Sequence, residues 1–307
     1  MARTVWKDGN PAPWEQAEVS VLGHSIQRGS LVFDVGAIRE TATGVACFRP
    51  REHIQRFWRS AALVGLDVAW TEAALLEATL ETVRASGLSS ALVRWSALWP
   101  GLESDVLPRR TSRASVVIAV ITPADSAGPG ESPAKKAESV RVGISREIRK
   151  AGPEVFPPQA KVAASYLGPM LAKRRAVDDG YDEVVLLDGE GYVAEAPTSN
   201  VFAVRGGVLF TPPTDRVLAG ITRDSILELA HAEGIEAREE RLAPDDLSSA
   251  DEAFLTGTSL PVQAIGAVDG FAMGNGGPGP VTEHLKALLL ACERGEDPRF
   301  AHWIERI

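Results

Sequence analysis

EVVLLDGEGYVAEAPTSNVFAVRGGVLFTPPTDRVLAGITR, residues 183–223, is the stretch on which the reading of this chain turns. Three runs within it have strand length and strand composition: Glu183 to Asp188, Tyr192 to Glu195, and Asn200 to Arg205, with Val208 to Phe210 continuing after the last turn. Gly189 and Gly191, then Gly206 and Gly207, punctuate them as turns do. Downstream the apolar period changes, predicting a helix from about Thr222 to Glu233 that stops at Gly234. A further strand is predicted at Ala253 to Thr256, and the glycine-rich run Gly274 to Gly279 reads as a loop.

Working back towards the N-terminus, a strand is expected at Val140 to Ser145, then an irregular Pro-rich stretch from Pro153 to Pro158, then a helix over Leu167 to Val177. Thr122 to Ser139, TPADSAGPGESPAKKAES, has no apolar period and reads as a linker. It divides the chain into a small N-terminal domain, 1–121, and a larger domain, 140–307. In the first, Glu18 to His24 alternates like a strand, and Leu31 to Phe33 follows a Gly-marked turn. Ile54, Phe57, Trp58, Ala61 and Leu63 recur at spacings that face one core within Arg51 to Val64. Thr71 can cap a second helix that stops at Gly87, and strands at Ala91 to Ala97 and Ser115 to Ile121 close the unit. Strands and helices mixed in this order, without a regular repeat, predict an α+β fold: a small N-terminal α/β domain and a larger, mixed β-rich C-terminal one.

The 307 residues carry 45% hydrophobic and 24% charged side chains, the proportions of a folded globular chain. Its formal charge of −9, from 32 basic and 41 acidic residues, argues against a duplex-DNA binder. Two cysteines, Cys47 and Cys292, are too few and too far apart for a disulfide framework or a zinc site, so no metal is expected. Neither a signal-peptide core at Met1 to Asn10 nor a run of ~20 apolar residues is present. A cytoplasmic protein without membrane or nucleic-acid partners is the expectation.

Five places suggest chemistry. Lys161 lies among small and apolar residues, where a desolvated amine becomes nucleophilic enough to form an imine; read alone, it is a surface lysine at a helix start. Glu195 ends a strand and could hold a pyridine nitrogen protonated, or simply face solvent. Gly220-Ile221-Thr222-Arg223 precedes a helix, whose N-terminus favours a phosphate, although Thr222 could merely cap it. Arg56, on a mostly apolar helix, suits bidentate anion contact, whereas Arg59 reads as solvated. Thr256 to Ser259, at a strand end, offers donors to an anion or forms a turn.

In order and spacing these places resemble the class IV aminotransferases, the fold-type IV pyridoxal-phosphate enzymes of D-amino acid aminotransferase-like fold, and most of all the branched-chain amino acid aminotransferases. The resemblance is carried by Glu195-Ala-Pro-Thr-Ser-Asn200-Val-Phe, Leu209-Phe-Thr211, Leu218-Ala-Gly220-Ile-Thr-Arg223, Arg51-Glu-His-Ile-Gln-Arg56, Pro158-Gln-Ala-Lys161, Tyr166 and Phe254-Leu-Thr-Gly-Thr258. It implies pyridoxal 5'-phosphate carried on Lys161, which would also move a proton at the substrate's Cα. Glu195 would meet the ring nitrogen and Tyr166 the phenolic oxygen. Arg56, Ile221, Thr222 and Thr258 would hold the phosphate, with Asn200 also among the cofactor-binding residues. Thr258 and Ser259 would face the substrate carboxylate. A homodimer is the implied assembly.

The sequence departs from the family pattern at Pro197, at Arg28 and Leu92 where pocket tyrosines are usual, and at Phe33-Asp34-Val35-Gly36, which has an extra residue. Arg94 is kept where the family binds a second carboxylate. The expected activity is ping-pong transfer of an amino group from an aliphatic, branched-chain amino acid to a 2-oxo acid such as 2-oxoglutarate. A lyase of the aminodeoxychorismate type, with Arg28 and Arg94 gripping a dicarboxylate, is the alternative, as is a D-amino acid or amine transaminase.

Overall fold

The computed structural model describes residues 3–126 and 137–307, so the middle of the expected linker lies outside the described residues. The chain forms two compact units: one takes residues up to 134 together with 160–164 and 292–307, the other takes 135–159 and 165–291. Helices and mixed sheets make it α+β, as expected.

The first unit is built on a seven-stranded sheet. Strands β1 (Thr4–Lys7) and β2 (Asn10–Pro13) form a hairpin whose turn, Asp8 and Gly9, has φ of 48° and 98°. Two positive φ values are what a two-residue turn of this hand demands, and Asp-Gly supplies them. With β3 (Val32–Thr41), β4 (Gly44–Phe48), β5 (Ala91–Leu98), β6 (Ser115–Ile121) and the C-terminal strand Ile304–Arg306, the order is C-terminal strand, β4, β3, β5, β6, β1, β2. The stretch Glu18 to His24, expected as a strand, is not one. Ser20 turns the chain by accepting from the N–H of Gly23 at 2.9 Å, and His24 begins a short helix, α1 (His24–Arg28). Alternation over so short a run does not make a strand when no ladder partner is available.

Helix α2 (Pro50–Leu63) starts with Pro at its first turn, where the missing N–H costs nothing. Its buried stripe is His53, Ile54, Arg56, Phe57, Ser60 and Ala61, at helical spacing but with three polar members. Helix α3 (Glu72–Ser86) is capped by Thr71, whose Oγ1 accepts from Ala74 N at 3.2 Å, and ends at Gly87 with φ 67°.

The second unit contains β7 (Ser139–Ser145), β8 (Glu183–Leu186), β9 (Glu195–Ala196), β10 (Ser199–Arg205), β11 (Val208–Thr211), β12 (Ala237–Glu239), β13 (Glu252–Gly257), β14 (Leu260–Val268) and β15 (Phe271–Ala272). The sheet runs β12-β11-β10-β13-β14-β7-β8, with β9 paired to β10 and β15 to β14. Tyr192 to Glu195 is therefore mostly irregular: only Glu195 enters a strand, while Val193 makes an isolated bridge to Leu187. Phe202 and Phe254 are cross-strand partners, fully buried and stacked at 5.0 Å. The α-helices of this unit are α4 (Leu167–Asp178), α5 (Ile221–Ala232), α6 (Pro244–Ser248) and most of α7 (Pro280–Glu293). Buried Glu252 accepts from the N–H groups of Val281 and Thr282 at 3.1 and 2.8 Å, satisfying donors that α7's first turn leaves open.

Candidate active site

In the first unit, Lys161 lies on a short segment clamped beside the start of β3. Lys161 O accepts from Phe33 N at 3.1 Å, Ala163 N donates to Leu31 O at 2.8 Å, and Ala164 N donates to Gly29 O at 3.0 Å. Ser60 Oγ on α2 accepts from Lys161 N at 3.0 Å. Gly29 is required here: its φ is 68°, and a Cβ would stand 3.1 Å from Ala164 Cβ. With the backbone pinned on both sides, the half-buried Lys161 side chain has a fixed origin, and its Nζ sits 5.1 Å from the Phe33 ring centre. Arg94 addresses the same ring at 5.4 Å. Two cations on one aromatic ring form a concentrated positive field suited to carboxylates.

Arg56 is held from behind. Its Nε and Nη2 donate to the two oxygens of Asp34 at 2.8 Å each, in the bidentate geometry a guanidinium prefers. Asp34 is fully buried and also accepts from His53 Nδ1 at 2.7 Å. Burial alone would raise the Asp34 carboxyl, but the Arg56 charge and the hydrogen bonds from Arg56 and His53 outweigh it and hold the group far below the ordinary carboxylate range. His53 is also depressed, first by burial and then by the charges of Arg56 and Lys161, against the pull of Asp34. The neutral ring then carries its proton on Nδ1 and donates it to Asp34.

In the second unit, Glu195 opens the β9–β10 hairpin, and Pro197 and Thr198 form its turn between the register partners Ala196 and Ser199. Its carboxylate receives three donors. Lys150 Nζ contacts Oε1, while Asn200 Nδ2 at 3.2 Å and Leu218 N at 3.0 Å reach Oε2. Asn200 also donates to Leu218 O at 3.0 Å, which ties the hairpin to the approach to α5. The N-cap of α5 is Gly220, so no side chain covers the first N–H groups at Ile221 and Thr222. A Cβ on Gly220 would lie 2.0 Å from Asn200 Oδ1, so only glycine permits this approach. The β13 end joins the same place: Asn200 pairs with Thr256, and a Cβ on Gly257 would come within 3.0 Å of Thr198 O. Thr256 Oγ1 is buried without a partner. Thr258 and Ser259 are the two turn residues between β13 and β14, half-buried and exposed respectively.

The second unit thus brings Glu195, Asn200, Ile221, Thr222 and Thr258 into one neighbourhood, and the first brings Lys161, Arg94 and Arg56 around β3. Tyr166 is half-buried just before α4, and Arg28 ends α1 with its side chain exposed. Arg223 is taken up structurally, its Nη2 donating to Pro212 O and Glu239 at 2.8 and 2.6 Å. Sequence reading missed Asp34, His53 and Lys150 as partners of the candidate residues. Asp34 and Arg56 had a usable signal, a carboxylate on a strand followed by an arginine on the buried face of the next helix; Lys150, in an aperiodic stretch, had none. The donor set of the second unit suits a phosphorylated pyridine: an anion-accepting helix start without a capping side chain, an unpartnered buried hydroxyl and an anchored carboxylate.

Residues 32–268 match the family model described as amino-transferase class IV. The branched-chain-amino-acid aminotransferase of Escherichia coli (strain K12) is 33% identical over 99% of this chain and 97% of its own. Among solved structures, the branched-chain aminotransferase of the thermophilic archaeon Thermoproteus uzoniensis with norvaline superposes with a TM-score of 0.91 at 33% identity, covering 99% of this chain and 99% of that one. The branched-chain amino acid aminotransferase of Thermobaculum terrenum in its PLP-form superposes with a TM-score of 0.89 at 28% identity, covering 99% and 98%. With the family model spanning most of its length and a relative 33% identical matching nearly end to end, the chain belongs to the class IV aminotransferases.

Proposed function

We propose that this transaminase uses pyridoxal 5'-phosphate to move the amino group of an aliphatic, branched-chain amino acid to a 2-oxo acid such as 2-oxoglutarate. The observation that carries the reading is the anchored Glu195 carboxylate tied through Asn200 to a helix start that has no capping side chain. Relatives bearing the branched-chain name support the donor class.

When bound, the cofactor supplies an aldehyde for the donor's amine and a ring that accepts the electron pair left at Cα. The chain supplies the rest. The Lys161 amine, fixed by its clamped backbone, attaches the cofactor and moves the proton at the substrate's Cα. Glu195 presents a carboxylate to the ring nitrogen, and Tyr166 meets the phenolic oxygen. Ile221, Thr222 and Thr258 offer donors to the phosphate. Arg56 adds its charge there, its orientation set by Asp34. Arg94, Arg28 and the Thr258–Ser259 turn serve substrate carboxylates. Donor and acceptor use the same groups in turn, as a ping-pong sequence requires.

Among the described residues no helix is long and apolar enough to cross a membrane, and Cys47 and Cys292 are free and buried. A reducing cytoplasm suits unpaired thiols. Val21, Leu22, Leu102, Val106 and Leu107 are each more than half exposed on the first unit, which supports a homodimer in which a second copy covers them. The test is turnover of valine, leucine and isoleucine with 2-oxoglutarate. Formation of glutamate that is abolished in Lys161→Ala supports the assignment, and unchanged turnover in that variant refutes it.

A further inference from the structure

Lys150 has no part in the roles assigned so far, yet its ammonium touches the Glu195 carboxylate, and the two side chains are only 13% and 12% exposed. Its place is fixed by the backbone: Lys150 N donates to Leu187 O at 2.9 Å, and Leu187 is bridged to Val193, two residues before Glu195. Lysine and glutamate are thus fastened to the same strand end.

The distribution of donors over the carboxylate is informative. An ionised carboxylate offers about four acceptor sites. Lys150 takes one on Oε1, while Asn200 Nδ2 and Leu218 N take two on Oε2, so three donors from three separate segments fix the plane of the group and leave one site. The Lys150 side chain is engaged by the Glu195 carboxylate, which separates its role from that of Lys161.

We propose that Lys150 is a positioning residue: it orients Glu195 so that the remaining acceptor site meets the ring nitrogen of the cofactor. This rests on the reading of Glu195 as the partner of that nitrogen. Without Lys150 the carboxylate keeps its two donors on Oε2 but loses the contact that sets the direction of Oε1.

The test compares wild type, Lys150→Met, Lys150→Arg and Glu195→Gln, each freed of cofactor and checked for native melting. Each is titrated with pyridoxal 5'-phosphate and with the carbocyclic analogue in which a ring C–H replaces the nitrogen, binding being followed by tryptophan fluorescence. Lys150→Met should bind pyridoxal phosphate roughly tenfold or more weakly, the scale found for groups that orient the direct ligands of a bound metal. The same variant should bind the analogue as wild type does, Lys150→Arg should recover affinity, and Lys150→Met should add no loss on top of Glu195→Gln. Equal weakening for both ligands assigns Lys150 a structural role only, and unchanged or tighter binding of pyridoxal phosphate removes any positioning role; either overturns the proposal. Should Lys150→Met not fold, Lys150→Gln carries the same comparison. Wild type that binds neither ligand overturns the cofactor reading itself, and the proposal with it.

Discussion

Asp34 concentrates the electrostatics of the first unit. It lies fully buried between Arg56 and His53, and its charge is tolerated because both partners point at it. Removing one partner of such a pair leaves a buried charge that costs about 3–5 kcal/mol. Arg56→Met should therefore lose stability on that scale in urea unfolding, and Asp34→Asn/Arg56→Met should recover part of it; a double variant no better than the single one contradicts the pairing. The same cluster sets an acid dependence. His53 is neutral in the folded state, while its unfolded counterpart takes up a proton near the ordinary 6.5, so the unfolded state binds more protons below that pH and stability falls as pH drops. Asp34, depressed by Arg56 and His53 against its burial, adds stability that is present above its unfolded value and is lost as pH falls below it. Urea midpoints followed from pH 7 to pH 5 should decline in wild type and decline less in His53→Gln. An identical slope in the two proteins argues against a neutral buried His53.

Among the elements, the start of α5 is where backbone geometry is most demanding. Gly220→Ala places a methyl group on Asn200 Oδ1 and should turn Asn200 away from Glu195. Losing that hydrogen bond should weaken cofactor binding roughly tenfold, the equivalent of about one net hydrogen bond. Thr71→Ala at the cap of α3 offers a contrast: about 1 kcal/mol less stability in urea, with cofactor affinity unchanged. Which elements could be read from the chain follows from how local their cause is. The helices at Pro50–Leu63, Glu72–Ser86 and Ile221–Ala232 were legible because an apolar period and terminal Gly or Thr residues are local signals. The β1–β2 and β14–β15 hairpins were overlooked although Asp8-Gly9 and Asp269-Gly270, all at positive φ, announce them. Glu18 to His24 misled because a ladder partner is a long-range property that alternation does not report. Of the candidate site, Lys161, Glu195 and Gly220–Thr222 stood out through their composite spacing. Asp34 had a signal that went unread, a strand carboxylate ahead of a helix with a buried arginine, whereas Lys150 meets its partner only through folding, so no spacing announced it.

For the whole molecule, exposed apolar surface is the feature that a single copy leaves unexplained. Val21 and Leu22 precede α1, and Leu102, Val106 and Leu107 lie on the loop after β5; His24 Nε2 meets Val106 O at 2.9 Å and links the two segments. If a second copy covers this patch, sedimentation should give a dimer, and Val106→Asp with Leu107→Glu should shift it towards monomer. A wild-type monomer at micromolar concentration contradicts that assembly. The whole functional account still depends on a single covalent link. Reducing the cofactor-loaded protein with borohydride and mapping its tryptic peptides by mass spectrometry locates that link directly. The account predicts a pyridoxyl group on Lys161 alone. A group found on Lys150, or no modified lysine in protein that holds the cofactor, would contradict it.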